Sequence, residues 1–315
     1  MSKVKVYIDG SEGTTGLRIF ERFQGRDDIE IIKIDSELRK DPAERARCIN
    51  SSDITFLCLP DAASIEAVSL CTNEHVRIID ASTAHRTNPE WNYGFPELGS
   101  DFREGIRNSK RVANPGCYAS GFISLVYPLV KKGIIKPDFP LVSWGISGYS
   151  GAGKKTIAIY ESADKTEAMN SPREYALTQQ HKHLKEMKAV CGLEMEPCFT
   201  PIVDDYYSGM IVNVSLYAKM IGMTAAELHK VYEDFYAGEQ FICVKPFDAQ
   251  TEELSGFMAA NSCAGWDGMN IYVCGNDERI LLASQFDNLG KGASGAAIQC
   301  MNIMIGAEEN TGLNL

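Results

Sequence analysis

The sequence predicts an α/β protein that combines a Rossmann-type doubly wound parallel sheet with a second α+β domain. Three observations support this fold class. Strand and helix patterns alternate through the first 130 residues, a glycine-rich turn follows the first strand, and strands with few helices between them dominate after residue 195. A last helical pattern ends near residue 305, and we expect that helix to return to the first domain.

Length and composition exclude several classes of protein. A chain of 315 residues can form two domains with cores of their own, and 44% hydrophobic and 23% charged residues are ordinary for a soluble enzyme. A formal net charge of −11 argues against nucleic acid as a partner, and no apolar run reaches the length of a membrane span. Ten cysteines without C-x-x-C pairs or zinc spacing indicate a reducing compartment. We therefore expect a cytoplasmic protein without a bound metal.

The first strand pattern, residues 3–9, ends at a glycine-rich loop that precedes helical spacing. In a doubly wound sheet such a loop lets backbone amides approach a dinucleotide pyrophosphate. Its spacing is G-x-x-G-x-x-G rather than G-x-G-x-x-G, so an ordinary glycine-rich turn is the alternative. The candidate cofactor-binding residues of this loop are Gly10, Ser11, Gly13, Thr14, Thr15 and Gly16.

A second strand, residues 29–34, leads to the basic pair Arg39 and Lys40. This end of a doubly wound sheet approaches the adenine ribose, where the two charges could neutralise a 2′-phosphate and favour NADP over NAD. Asp35 argues for NAD, and a solvated charged turn is the alternative.

Two more strands, residues 54–59 and 77–80, continue the alternating pattern. The loop after the fourth strand contains Ser82 and Arg86, at a carboxyl end where ligands bind in such sheets. We expect Arg86 to hold a phosphate or carboxylate in two-pronged fashion.

Cys117 stands where a tight bend, Pro115-Gly116, opens an apolar helix. The positive end of the helix dipole stabilises a thiolate, which makes Cys117 the candidate nucleophile. An inert, buried cysteine is the alternative.

The segment 147–155 is basic and rich in glycine. Residues 148–154 match G-x-x-x-x-G-K, but Lys155 follows where a nucleotide-hydrolysing loop needs Ser or Thr. We interpret the segment as a flexible loop that places Ser147, Gly148 and Lys154 over an anionic substrate. An ATPase or kinase is the alternative.

Two of the five histidines, His181 and His183, lie two residues apart. Either could move a proton to or from a thiol, whereas the absence of a third metal ligand argues against zinc. A solvated basic turn is the alternative. Further along, the alternation within residues 210–217 indicates a strand with one open face, of the kind often used for subunit contact.

Together these features indicate hydride transfer to or from an acyl group bound to a cysteine. The sequence resembles the short form of N-acetyl-gamma-glutamyl-phosphate reductase, an arginine-biosynthesis family. The resemblance keeps its order over nearly the whole chain, in segments 10–16, 80–86, 93–97, 114–120, 147–154, 181–183 and 290–297. One departure is that the family often has Pro-Glu two residues after the second histidine, where this chain has Lys185-Glu186.

The resemblance implies an NADP-dependent reductase that converts N-acetyl-L-glutamyl 5-phosphate to the 5-semialdehyde and phosphate through a thioester on Cys117. It adds Gly292 and Ala293 to the cofactor site and Asn114 to the substrate site. The expected domains are residues 1–116 with 288–315 for NADP, and residues 117–287 for catalysis and for assembly of a homodimer or homotetramer. The alternatives are aspartate-semialdehyde dehydrogenase and, from a different class, a non-catalytic NADP-binding sensor.

Overall fold

Two separate β-sheets organise the chain, each in its own unit. The computed structural model describes residues 3–315. The first unit runs to Pro115 and resumes over Ala293–Leu313, and the second contains Gly116–Gly292 and Asn314–Leu315. The boundaries expected from the sequence are 116/117 and 287/288, and the chain changes units at 115/116, 292/293 and 313/314.

Six strands form the first sheet, in the order β2-β1-β3-β4-β6-β5, and every neighbouring pair is parallel. Their short, nearly continuous apolar runs are typical of parallel strands that are buried on both faces. The strands are β1 (Val4–Asp9), β2 (Ile29–Ile32), β3 (Ile54–Leu57), β4 (Arg77–Asp80), β5 (Asn92–Tyr93) and β6 (Arg111–Ala113).

Seven strands form the second sheet, in the order β11-β12-β13-β10-β7-β9-β8. Two neighbouring pairs, β7 with β9 and β11 with β12, are parallel and the other four are antiparallel. The strands are β7 (Val142–Gly148), β8 (Arg173–Glu174), β9 (Cys198–Asp204), β10 (Met210–Tyr217), β11 (Ile242–Val244), β12 (Met269–Gly275) and β13 (Arg279–Phe286).

The helices alternate with the strands in the first unit and are fewer in the second. In chain order they are α1 (Thr14–Phe23), α2 (Pro42–Asn50), α3 (Asp61–Leu70), α4 (Ser100–Asn108), α5 (Cys117–Lys131), α6 (Lys154–Tyr160), α7 (Leu184–Cys191), α8 (Ala218–Ile221), α9 (Ala225–Phe235), α10 (Ala249–Glu252) and α11 (Gly295–Ile305). A π-helical turn, Gly290–Ser294, precedes α11. None of the helices within residues 3–315 has the length and apolar character needed to cross a membrane.

The first sheet separates two apolar cores because successive side chains of a strand point to opposite faces. One core contains Val6 and Ile79 together with Ile298 and Met301 of α11. The other contains Tyr7 and Leu57 together with Cys48 and Ile49 of α2. Helix α11 thus supplies part of the first unit's core, although residues 116–292 of the second unit precede it in sequence.

Helix α5 lies close against the second sheet. At Gly121 an added Cβ would fall 2.5 Å from Val212 Cγ2 and 2.7 Å from Ser284 Oγ, so a residue without a side chain is needed for this approach. The predicted open face of β10 exists only at the far end of the strand. Ile211 is buried in a cluster with Tyr272 and Ala283, whereas Tyr217 is exposed.

Candidate active site

The glycine loop between β1 and α1 is folded tightly against the end of β3. Gly10 has φ +88°, and an added Cβ there would lie 2.3 Å from the Cys58 carbonyl oxygen. At Gly16 the same atom would lie 2.4 Å from the Gly10 carbonyl oxygen. No side chain caps the first turn of α1, which begins at Thr14 after Gly13. A dinucleotide pyrophosphate fits such a turn because it would accept from backbone N–H groups that lack helical partners.

Arg39 lies in the loop between β2 and α2, and its side chain contacts the glycine loop. Its Nη1 lies 2.5 Å from Glu12 Oε1, and both side chains are about half exposed to solvent. A 2′-phosphate would therefore compete with Glu12 for this guanidinium. Lys40 is exposed beside it.

The loop after β4 is fixed by one buried carboxylate. Asp80 accepts hydrogen bonds from Ser64 Oγ at 3.1 Å and from the amide and hydroxyl of Ser82 at 2.9 and 2.7 Å. His85 Nδ1 lies 2.6 Å from Asp80 Oδ2, and its ring stacks on Trp91 with 4.1 Å between centroids. The Ser82 hydroxyl is thus turned inward to Asp80.

Arg86 is buried, and its guanidinium is bound in part by backbone carbonyls. Its Nε donates to the Asn114 carbonyl at 2.9 Å and its Nη2 to the Ala81 carbonyl at 3.0 Å. The Asn114 side chain donates through Nδ2 to the Ala293 carbonyl at 3.0 Å. Its Oδ1 is buried and has no hydrogen-bond partner among the described residues.

Cys117 is the first residue of α5 and is partly exposed. The preceding N–H, that of Gly116, donates to Glu186 Oε1 at 2.8 Å, and Glu186 is only 2% exposed. An added Cβ at Gly292 would fall 3.0 Å from Cys117 Cβ. Residue 292, predicted to contact the cofactor, therefore lies against the candidate nucleophile.

An aromatic cluster surrounds the residue next to the thiol. The Tyr118 ring lies 5.3 Å from Phe199, 5.9 Å from His181 and 6.4 Å from Tyr175, between ring centroids. Its hydroxyl donates to the Ile202 carbonyl at 2.7 Å. Burial, and then the neighbouring Tyr175 and Cys117, raise the pKa of Tyr118 well above its ordinary value, so this hydroxyl stays protonated.

The two histidines are distinguished by their surroundings. The His183 N–H donates to His181 Nδ1 at 3.2 Å, which places the proton of a neutral His181 on Nε2. His181 is partly exposed between the rings of Tyr175 and Phe199, whereas His183 is 4% exposed at the start of α7. Only His181 thus combines a fixed tautomer with access to solvent.

The segment 147–155 is more regular than the flexible loop expected from its glycines. Strand β7 runs through Gly148, a 3₁₀ turn covers Tyr149–Ala152, and Lys154 begins α6. Stacking of Tyr149 on Tyr160, with 4.5 Å between centroids, holds the turn against the helix. The Ser147 hydroxyl donates to the Gly148 carbonyl at 3.1 Å, and Lys154 is exposed.

Sequence reasoning missed Arg173, one of two arginines in the second unit. Its Nη2 donates to the Tyr160 hydroxyl at 2.6 Å, and its buried Nε has no hydrogen-bond partner among the residues that the structure describes. Within residues 3–315 no carboxylate pairs with it, whereas Arg279 pairs with Glu278. In the sheet, Arg173 lies opposite Val203, which lies opposite Ser147. The sequence signal for Arg173 as a site residue was the scarcity of arginine in this half of the chain.

Glu186 was also missed as a site residue, although the sequence contained its signal. The resembled family has a glutamate at this place after the histidines, and this chain keeps the glutamate while losing the proline. No cluster of three or more metal-ligating side chains occurs within residues 3–315.

The match to family models identifies the class of protein. Residues 5–107 match the semialdehyde dehydrogenase NAD binding domain, and residues 117–288 match the semialdehyde dehydrogenase dimerisation domain. Two solved structures have the same fold. Aspartate semialdehyde dehydrogenase II of Vibrio cholerae superposes with a TM-score of 0.67 at 14% identity, over 97% of this chain and 99% of that one. Aspartate semialdehyde dehydrogenase with NADP from Candida albicans gives 0.61 at 13% identity, over 98% and 100%.

Closer relatives identify the particular family. N-acetyl-gamma-glutamyl-phosphate reductase 2 of Nostoc sp. is 44% identical over 99% of this chain and all of that protein. The reductases of Rhizobium meliloti and Burkholderia lata are 43% and 41% identical, over 97% and 98% of this chain and 100% and 98% of theirs. The chain belongs to the N-acetyl-gamma-glutamyl-phosphate reductase family, which confirms the family, fold class and oxidoreductase class predicted from the sequence.

Proposed function

We propose that the protein reduces N-acetyl-L-glutamyl 5-phosphate to N-acetyl-L-glutamate 5-semialdehyde with NADP as cofactor, in the arginine biosynthesis of the cytoplasm. The observation that carries the proposal is the setting of Cys117. The thiol opens a long helix, stands next to an amide held by Glu186, and is approached by a glycine at position 292. Relatives at 41–44% identity that are named for this reaction support it.

Cys117 acts on the acyl phosphate in this proposal. Its sulfur attacks the acyl carbon, the bond to the phosphate oxygen breaks, and a thioester forms. Reduced NADP, when bound, supplies the hydride that converts the thioester carbon to the aldehyde level. The carbon–sulfur bond then breaks, which releases the semialdehyde and restores the thiolate.

His181 acts through the proton on its Nε2. Because its Nδ1 accepts from the His183 amide, the neutral ring carries that proton on Nε2, so Nε2–H donates a hydrogen bond to the Cys117 thiolate and then to the acyl oxygen as negative charge develops there. The thiol gives its proton to solvent before the attack. The buried His183 supports His181 through that amide. Its ring lies 4.7 Å from the His181 ring, nearly perpendicular to it.

The cofactor is assigned to the glycine loop and its neighbours. Residues 10–16 would hold the pyrophosphate, and Arg39 with Lys40 would hold the 2′-phosphate. The shape of the loop supports this, since an added Cβ at Gly10 or Gly16 would strike a backbone oxygen. Gly292 and Ala293 stay with the cofactor in the proposal.

The substrate is a polyanion and the protein is acidic, so cations must recognise it locally. Arg173 suits a carboxylate best, because the side chain has no acidic partner among the described residues and its Nε donor is unused there. The proposal retains Lys154, Ser147 and Gly148 near it. For the phosphate it retains Ser82, Arg86 and Asn114, although Ser82 and Arg86 already donate to protein oxygens.

The protein forms a homodimer in this proposal, and a homotetramer is the alternative. The subunits would meet at the exposed end of one face of the second sheet. Val142 and Trp144 are 59% and 39% exposed, and Tyr217 is 62% exposed. These residues share one face, because Trp144 lies opposite Asn213 and Tyr217 is four residues further along β10. The match of residues 117–288 to a dimerisation domain supports assembly through this unit. Light scattering should show a smaller particle for Trp144→Glu.

Phosphate dependence tests the reaction. With N-acetyl-glutamate semialdehyde and NADP, steady NADPH formation should require phosphate or arsenate, because an oxyanion must attack the thioester. Without either, at most one turnover per subunit should occur, and Cys117→Ser should give none. Sustained turnover in phosphate-free buffer would indicate a hydrolytic aldehyde dehydrogenase. A higher kcat/KM for aspartate semialdehyde would favour the alternative enzyme.

A further inference from the structure

The loop that leads from β8 to His181 is held in a conformation unusual for its residues. Ala176 and Gln179 have φ values of +51° and +57°, and neither is glycine. The Gln179 N–H donates to the Ala176 carbonyl at 2.9 Å, which closes a tight turn. Left-handed conformations cost free energy for such residues and persist where surrounding contacts impose them. Something must therefore hold this turn in place.

The side chain of Gln179 supplies that contact by imitating a strand. Its Nε2 donates to the Phe199 carbonyl at 2.9 Å, and its Oε1 accepts from the Phe199 N–H at 2.9 Å. This two-way exchange is what a hydrogen-bonded pair makes in an antiparallel ladder. In the antiparallel ladder of β8 with β9, Arg173 lies opposite Val203. Two residues further on, the Tyr175 N–H donates to the Pro201 carbonyl. The Gln179 amide then extends it by two residues.

The partner of Gln179 is also a wall of the histidine site. The Phe199 ring packs against His181 at 5.4 Å and against Tyr118 at 5.3 Å, between centroids. His181 follows Gln179 by two residues, and its other flank is Tyr175 at 5.7 Å, the residue that precedes the turn. The turn thus sets both the imidazole and the tyrosine beside it with respect to Phe199.

We propose that Gln179 is a positioning residue for His181. Its amide fixes the turn to Phe199 and thereby fixes the imidazole in the orientation that serves the Cys117 thiol. It acts through His181 and touches neither substrate nor cofactor. The inference rests on the proton-donor role given to His181 in the proposed function. A carboxamide suits the task because it offers a donor and an acceptor at once.

Substitution of Gln179 in two backgrounds tests the inference. Gln179→Ala should lower kcat by about tenfold to a hundredfold, as expected for a catalytic group displaced by about 1 Å, with little change in KM. Gln179→Glu keeps the hydrogen-bond acceptor and loses the donor, so this variant should also have a lower kcat. Gln180→Ala is the matched control, because the adjacent glutamine is exposed and its side chain makes no hydrogen bond within residues 3–315.

A double-mutant cycle separates positioning from general structural damage. In the His181→Asn background, Gln179→Ala should cause little further loss of kcat, because its effect passes through the missing imidazole. The alkylation rate of Cys117 by iodoacetamide gives a second readout, corrected with Cys117→Ser, and both single variants should slow it. Circular dichroism and NADP binding should stay unchanged in each variant.

The possible outcomes distinguish a failure of the Gln179 positioning role from a failure of the proposed function. Wild-type kcat in Gln179→Ala, or equal losses in both backgrounds, would overturn the positioning role and leave the proposed reaction untouched. Full activity of His181→Asn would overturn both the proton-donor role of His181 and the inference that depends on it. Continued phosphate dependence in that variant would show that the reaction assignment itself survives.

Discussion

A single methyl group at position 292 should test how closely the thiol is held. An added Cβ would lie 3.0 Å from Cys117 Cβ, 3.2 Å from Phe286 Cε2 and 3.2 Å from the Asp287 carbonyl oxygen. Non-bonded carbons prefer about 3.5–4.0 Å, so Cys117 or the segment at 292 must yield by about 0.5–1 Å. Because a 1 Å misplacement costs about a hundredfold in rate, we expect Gly292→Ala to lower kcat by about 10–100-fold.

The measurement is steady-state NADPH formation with N-acetyl-glutamate semialdehyde and phosphate, together with the alkylation rate of Cys117. Gly151→Ala is the matched control, because the nearest atom to its added Cβ is Asn288 Nδ2 at 3.4 Å, an ordinary contact. Overpacking typically costs about 1–3 kcal/mol, so thermal unfolding should show that Gly292→Ala still folds. If Gly292→Ala turned over as fast as Gly151→Ala, the close approach would have no part in catalysis.

Cys117→Ser should abolish turnover and keep NADP binding, because a serine hydroxyl is a far weaker nucleophile at this site; near wild-type activity would remove Cys117 from the mechanism. Replacing Arg39 and Lys40 together by alanine should raise the Kd of NADP by about tenfold and leave that of NAD unchanged, since these charges are exposed and each contributes about 1 kcal/mol or less. Isothermal titration would contradict the 2′-phosphate assignment if both cofactors weakened equally. Gly10→Ala should lower the midpoint of thermal unfolding and abolish NADP binding, because its Cβ would lie 2.3 Å from a carbonyl oxygen at φ +88°; Gly13→Ala, with 3.3 Å to its nearest atom, should do much less.

Strong periodicity made much of the fold predictable. The strands Arg77–Asp80 and Met210–Tyr217 occur where their patterns place them, and the alternation of strands with helices correctly indicates a parallel sheet. Strands β5 and β8 were not predicted, because a two-residue strand is defined by its hydrogen-bonding partner and leaves no pattern of its own. Helix α6 was missed since the glycines before it indicate a loop.

Some site residues can be identified from their neighbours in sequence, whereas others depend on which strands pair in the folded chain. Cys117 was identifiable because a Pro-Gly bend and an apolar helix flank it in sequence. The roles suggested for Gln179 and Arg173 depend on Phe199 and Val203 of β9, which lie 20 and 30 residues further along the chain. The contact of Arg86 with the Asn114 carbonyl likewise joins residues 28 apart in the sequence, so the sequence pattern alone did not indicate it.

The return of α11 to the first sheet has a consequence for biosynthesis. Residues 3–115 leave the ribosome early, yet Ile298, Met301 and Ile303 belong to their core. At about 5–20 residues per second, synthesis from Pro115 to Gly295 takes about 10–40 s, during which one face of the nascent first sheet lacks helix α11. We expect chains that terminate early to leave this part of the apolar face exposed to chaperones and proteases.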